Sequence, residues 1–342
     1  QEVTVEYNET AEVAFENIEK TGEIKVTKTT VGNINVSGIT FNLRGTSDSG
    51  RDIDIPAVTD ENGVAIFSEI PIGTYTIYED EKTVPTAYLV ADPQNVTVTY
   101  AETKEVPIEN KEKTGSITVH KTTEGQKNIE GIKFYLRGTS DSGRAIDIPA
   151  TTDKDGIAKF DGVPIGTYMV IEDEETVPYG YLVADEKEVK VEYAQTIDET
   201  ILNNEQTGTV KVHKKTADMT NVEGIRFILS GISDTGREIR IEATTDKDGL
   251  AKFEGVPVGT YTITEDGSTV PYGYLVADSK QVTVAYAQTV DTDMVNEKAP
   301  DTPNTGVTDN DSDGTVQRGY HSRRSCYRDV QPKAKRKIID AV

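Results

Sequence analysis

Between Gly22 and Asn110, short runs alternate apolar and polar residues: GEIKVTKTT, ITFNLRG, IDIPAVT, GVAIFSEI, GTYTIYED, NVTVTY and KEVPIEN. A period of two, rich in Val, Ile, Thr and Tyr, predicts half-buried strands, and no helical period longer than a turn interrupts it. Turn residues separate the runs, with Asn62-Gly63, Asp155-Gly156 and Asp248-Gly249 in the position of tight hairpins. About seven strands in so short a stretch predict an all-β fold, a small antiparallel β-sandwich.

The pattern repeats. LRGTSDSGR begins at Leu43 and again at Leu136, and LSGISDTGR begins at Leu229, each 93 residues after the last. VPTAYLVAD at Val84 returns as VPYGYLVAD at Val177 and Val270 with the same spacing. Three full repeats of 93 residues therefore occupy 21–113, 114–206 and 207–299, and 300–342 is expected to be a disordered linker with a basic tail. Residues 1–20 resemble the end of a repeat, since VTVEYNETAEVAFENIEKTG from Val3 parallels VTVTYAETKEVPIENKEKTG from Val96. They are expected to be the closing strands of an earlier, truncated unit. Links between units are short, which predicts tandem sandwiches stacked as a stalk.

Successive inward residues of a strand lie two apart, so each inward face can be followed to its end. The first strand reads Ile24, Val26, Lys28, then Ile117, Val119, Lys121, then Val210, Val212, Lys214. The fifth reads Tyr75, Ile77, Glu79, then Tyr168, Val170, Glu172, then Tyr261, Ile263, Glu265. The last reads Val106, Ile108, Asn110, then Ile201, Asn203, then Met294, Asn296, with Phe15 and Asn17 in the leading segment. Every repeat thus carries a lysine, a glutamate and an asparagine where its apolar faces end.

A charged lysine or glutamate alone in an apolar interior costs several kcal/mol. Together they can exchange the proton, because desolvation lowers an amine pKa and raises that of a carboxylic acid. A neutral amine is a nucleophile, and a carboxamide held against it by rigid strands is an electrophile at high effective concentration. The acid can polarise the amide oxygen and pass protons to departing ammonia. The product would be a Lys–Asn amide joining the first and last strands, stabilising the fold by roughly 2 to 5 kcal/mol by analogy with a disulfide. On the residues alone a second reading stays open: strand-end side chains reaching solvent, or a partly buried Lys–Glu pair beside an Asn cap. Duplication would copy such residues whether or not they act.

Composition narrows the function. The net charge is −23, and residues 315–342 carry eight basic and two acidic side chains, so the body is more acidic still. Such a body repels phosphate backbones and argues against nucleic-acid binding. One cysteine, Cys326, excludes an intramolecular disulfide framework, and His120, His213 and His321 are too scattered for a metal cluster. No stretch has the apolar length of a membrane span, and the chain opens at Gln1 without a signal peptide, as a fragment or processed form would. Asp153-x-Asp155-Gly156 and Asp246-x-Asp248-Gly249 open like calcium loops but lack the later ligands, so turns are expected. Asn8, Asn35 and Asn95 begin sequons that are expected to be chance. No GxSxG, HExxH or P-loop occurs, so no turnover enzyme, cofactor or metal is expected.

VTKTT, VHKTT and VHKKT, with GTYTIYED, GTYMVIED and GTYTITED followed by Pro-x-Gly-Tyr and a closing Asn strand, resemble the Cna B-type repeats of Gram-positive surface proteins. These are also called SpaA-type prealbumin-like domains. The resemblance implies an inverse immunoglobulin-like sandwich with autocatalytic isopeptide bonds Lys28–Asn110, Lys121–Asn203 and Lys214–Asn296, promoted by Glu79, Glu172 and Glu265. Five residues separate each of these glutamates from the proline where the family has three, and Thr86-Ala87 replaces Tyr-Gly in the first repeat, which puts that turn in doubt. APDTPNTG at Ala299 resembles a sortase motif, with Pro303, Thr305 and Gly306 matching and Thr302 in place of leucine. The apolar span that follows such motifs is missing, and so is the Tyr-Pro-Lys motif of shaft pilins. The resemblance implies an extracellular stalk on a Gram-positive cell wall, with neighbouring repeats, sortase, peptidoglycan and host matrix proteins as partners. The alternative is an adhesive module that grips host matrix through the loops at Asp48, Asp141 and Asp234.

Overall fold

The computed structural model describes residues 2–300 apart from 128, 219 and 221. The first repeat folds as β1 (Thr21–Thr30), β2 (Thr40–Ser47), β3 (Asp52–Val58), β4 (Val64–Pro71), β5 (Gly73–Glu79), β6 (Gln94–Val98) and β7 (Thr103–Asn110). The second repeats the order as β8 (Thr114–Thr123), β9 (Lys133–Ser140), β10 (Ala145–Thr151), β11 (Ile157–Pro164), β12 (Gly166–Glu172), β13 (Lys187–Val191) and β14 (Thr196–Asn203). The third runs β15 (Thr207–Thr216), β16 (Arg226–Ser233), β17 (Glu238–Thr244), β18 (Leu250–Pro257), β19 (Gly259–Glu265), β20 (Lys280–Val284) and β21 (Thr289–Asn296). Each domain packs a three-stranded sheet, ordered β4-β1-β7 in the first, against a four-stranded sheet ordered β3-β2-β5-β6.

Inward residues of both sheets form one core per domain. In the second it includes Ile117, Val119, Phe134, Leu136, Phe160, Tyr168 and Val170. Tyr168 is buried whole, and its hydroxyl donates to the Pro164 carbonyl at 2.8 Å, so the core's polar atom keeps a partner. Tyr75 and Tyr261 repeat the contact with Pro71 and Pro257.

All strand pairs are antiparallel except one in each domain, where the first and last strands run parallel, Lys28 opposite Ile108 and Thr30 opposite Asn110. That pair decides the chemistry. Lys28 and Asn110 both lie toward the C-terminal ends of their strands, so parallel pairing brings them to the same end of the sandwich. Antiparallel pairing would send them to opposite ends.

Two expectations need correction. Asn62-Gly63 reverses the chain, with Asp60 Oδ1 accepting from the N–H groups of Asn62 and Val64 at 2.9 and 2.8 Å, but it closes no hairpin. Its flanking strands, β3 and β4, belong to different sheets. A turn signal marks a reversal without saying what the flanking strands pair with. Asp153 makes the same turn contacts with Asp155 and Ile157, so the calcium-like string serves the backbone.

Residues 2–20 carry the sequence of closing strands but form none, and Phe15 is 80% exposed. Among the described residues no helix is long and apolar enough to cross a membrane. Pro303, Thr305 and Gly306 lie outside the described residues.

Candidate cross-linking site

In all three domains the lysine, glutamate and asparagine come together, buried between the two sheets. In the second, Lys121 Nζ lies 2.5 Å from Asn203 Oδ1 and 3.6 Å from Glu172 Oε1, and the side chains of Lys121 and Glu172 are at most 1% exposed. In the third, Lys214 stands 3.2 Å from Glu265, and Asn296 Nδ2 donates to Glu265 Oε2 at 2.6 Å. In the first, Lys28 is 3.9 Å from Glu79, and Asn110 donates to Glu79 Oε2 at 2.7 Å. Burial excludes the reading in which these side chains reach solvent.

Backbone groups hold the rest of the site. The Ala184 N–H donates to Glu172 Oε2 at 2.8 Å, and Ala91 and Ala277 do the same for Glu79 and Glu265. The carbonyls of Leu89 and Leu275 accept from the Asn110 and Asn296 amides at 2.6 and 2.7 Å. These atoms belong to the recurring YLVAD phrase, which in sequence serves only as a repeat marker. A backbone donor has no side-chain signature, so recurrence was the only clue to it.

The amide is turned two ways. In the second domain its oxygen faces the lysine; in the first and third its nitrogen faces the glutamate. The second domain thus sets the carboxamide oxygen against the lysine amine, and the first and third set the carboxamide nitrogen against the glutamate. The oxygen Oε1 of all three glutamates faces the lysine ammonium, at 3.2 to 3.9 Å, and no other donor reaches it. An unsolvated carboxylate oxygen beside an ammonium favours proton exchange. Burial pushes all three amines down, Lys121 to about 8, against the pull of its glutamate.

The Thr86-Ala87 departure leaves the site intact. Tyr88 N–H still reaches the Pro85 carbonyl at 2.9 Å, as Tyr181 reaches Pro178. Gly180 and Gly273 occupy positive φ in this turn, whereas Ala87 makes the reversal without one.

A family model described as a prealbumin-like fold domain, SpaA, matches residues 22–112, 115–206 and 208–298. The chain belongs to the SpaA prealbumin-like family. Comparison with curated protein sequences finds no match. Among solved structures, these SpaA domains are similar to the Bacillus anthracis TIE protein, at 20% identity over 81% of this chain and 51% of that one, with a TM-score of 0.58. The chain thus spans about half of that protein's length, and the likeness speaks for the fold. BcpA, the major pilin subunit of Bacillus cereus, matches at 18% identity over 82% of this chain and 100% of that one, with a TM-score of 0.40. The shaft pilin SpaA of Lactobacillus rhamnosus GG matches at 17% identity over 56% and 100%, with a TM-score of 0.26.

Proposed function

We propose that the chain is part of the stalk of a Gram-positive surface protein, each SpaA domain closed by one intramolecular Lys–Asn isopeptide bond. The observation that carries this is the buried triad, three times repeated, at the end where the first and last strands run parallel. Glu172 takes a proton from the Lys121 ammonium, and the freed amine attacks the Asn203 carboxamide carbon. Glu172 returns the proton to the old amide nitrogen as its bond to carbon breaks, and takes a second proton from the attacking nitrogen, so that a neutral amide remains and the ammonia carries the extra proton away as ammonium. One amide replaces another, so no oxidant, metal or cofactor enters the balance. Each domain reacts once, and the protein turns over no substrate.

The bond would join β8 to β14 and β1 to β7, the terminal strands of their domains. Pulling force between the two ends of the chain would then pass through covalent bonds instead of strand hydrogen bonds. This suits a stalk holding a more distal region away from a cell wall, and the extracellular location and sortase attachment belong to the same proposal. The intact mass is expected to fall short of the sequence sum by one ammonia per domain, and Glu172→Ala to restore one of them. A mass equal to the sequence sum would refute the cross-link.

The adhesive alternative is weaker. Asp48, Asp141 and Asp234 are exposed, but in the second and third domains the neighbouring hydroxyls of Ser142 and Thr235 are buried against the preceding domain.

A further inference from the structure

The loop phrase SDSGR, conspicuous in the sequence, is used at the junctions between domains. Glu112 follows the last strand of the first domain and is fixed there by a backbone bridge to Tyr88, yet its carboxylate enters the second domain. There Arg144 Nη2 donates to Oε2 at 2.8 Å, and the Ser142 hydroxyl donates to Oε1. Glu205, bridged to Tyr181, makes the same contacts with Arg237 and Thr235 of the third domain, and its side chain is fully buried. Glu19, in the leading segment, meets Ser49 and Arg51.

Contacts within the loop hold part of the socket. In each loop a first hydroxyl accepts from the backbone N–H of the arginine and sits against the second hydroxyl, as Ser140 does with Arg144 and Ser142 at 3.1 and 2.7 Å. That leaves a hydroxyl and a guanidinium presented side by side, a fork that fits a carboxylate. A second contact crosses each junction beside it: Asn35 Nδ2 donates to the Ser142 carbonyl at 3.0 Å, and Lys127 Nζ to the Gly236 carbonyl at 2.5 Å.

Shape agrees with charge. A Cβ on Gly180 would lie 2.8 Å from the Thr235 methyl, so the second junction admits no side chain there. At the first junction the equivalent residues are Ala87 and Ser142, and the extra methyl has moved to the other side of the boundary. The trailing end of the third domain differs. The position held by Glu112 and Glu205 is Lys298, bridged to Tyr274 in the same way but paired with Asp218 of its own domain at 3.5 Å.

We propose that this glutamate-to-arginine-and-hydroxyl latch is a docking code that fixes consecutive domains in one orientation, and that Lys298 withdraws the code from the trailing end of the third domain. The partner that fits each socket is the acidic end of another domain of this kind. An ammonium in that place would face the guanidinium with neither charge neutralised. The latch shares no residue with the cross-linking triad and stands whether or not the isopeptide forms.

Residual dipolar couplings on the full chain test it. The second and third domains are expected to share one alignment tensor in the unaltered protein. Glu205→Lys, which copies what the third domain carries, is expected to split it in two. Combining Glu205→Lys with Arg237→Glu is expected to restore it. Unchanged amide spectra within each domain show that the variants fold. Independent tensors in the unaltered chain, one tensor in Glu205→Lys, or no restoration in the swap would each overturn the proposal. With a second copy of residues 207–299 appended after Ala299, the added domain is expected to align with the third only when Lys298→Glu is present. Alignment without that substitution would overturn the role of Lys298.

Discussion

Glu172 and Glu205 are both buried carboxylates facing a cation, with side-chain exposures of 1% and 0%, and the structure uses them in opposite ways. Glu172 faces a lysine whose buried amine is held to about 8, beside a carboxamide. Glu205 faces an arginine, which does not give up its proton in proteins, beside a hydroxyl. In the proposed reaction the first set exchanges a proton and forms an amide, a course that the arginine of the second set does not offer. On the proposed function, the two buried acids differ in whether the cation they face can lose a proton.

The comparison can be broken most severely at the cation. Lys121→Arg keeps the charge and removes the nucleophile, so the intact mass should show one ammonia fewer lost. The second domain should lose about 2–5 kcal/mol in urea unfolding, the scale of a lost covalent cross-link. On the other side, Glu205→Ala leaves a half-exposed guanidinium and a buried hydroxyl without their acceptor. A loss of about 1–2 kcal/mol is expected in the coupled melting of the second and third domains, with ammonia loss unchanged. Tyr168→Phe touches neither site and strands the Pro164 carbonyl. Calorimetry should show about 1 kcal/mol lost and the cross-link still formed.

The smallest effect is a pH slope. In Asn203→Ala, Lys121 stays a free amine whose folded pKa of about 8 lies below its ordinary 10.5. Between those values the unfolded chain holds more protons, so unfolding free energy should rise with pH across that window. Adding Lys121→Met should remove that part of the slope, read from urea midpoints at pH 7 and 10.

The triad was legible because apolar alternation identifies which side chains point inward, and Lys28, Glu79 and Asn110 continue those inward faces. Alternation does not identify a strand's neighbour, so the parallel pairing of first and last strands, on which the site depends, came only from the structure. The same gap made Asn62-Gly63 look like a hairpin. The backbone groups of Leu89 and Ala91 that hold Asn110 and Glu79 leave no residue-type trace. The SDSGR loops were visible as a repeat, but their partners, Glu112 and Glu205, sit about thirty residues earlier in an unremarkable polar stretch. Their role follows from one domain being placed against the next.

The most direct measurement is a peptide map of the protease-digested chain. The account predicts three branched peptides, joining β1 to β7, β8 to β14 and β15 to β21 through Lys28–Asn110, Lys121–Asn203 and Lys214–Asn296, each lighter by ammonia. Recovery of these strands only as separate linear peptides would contradict it.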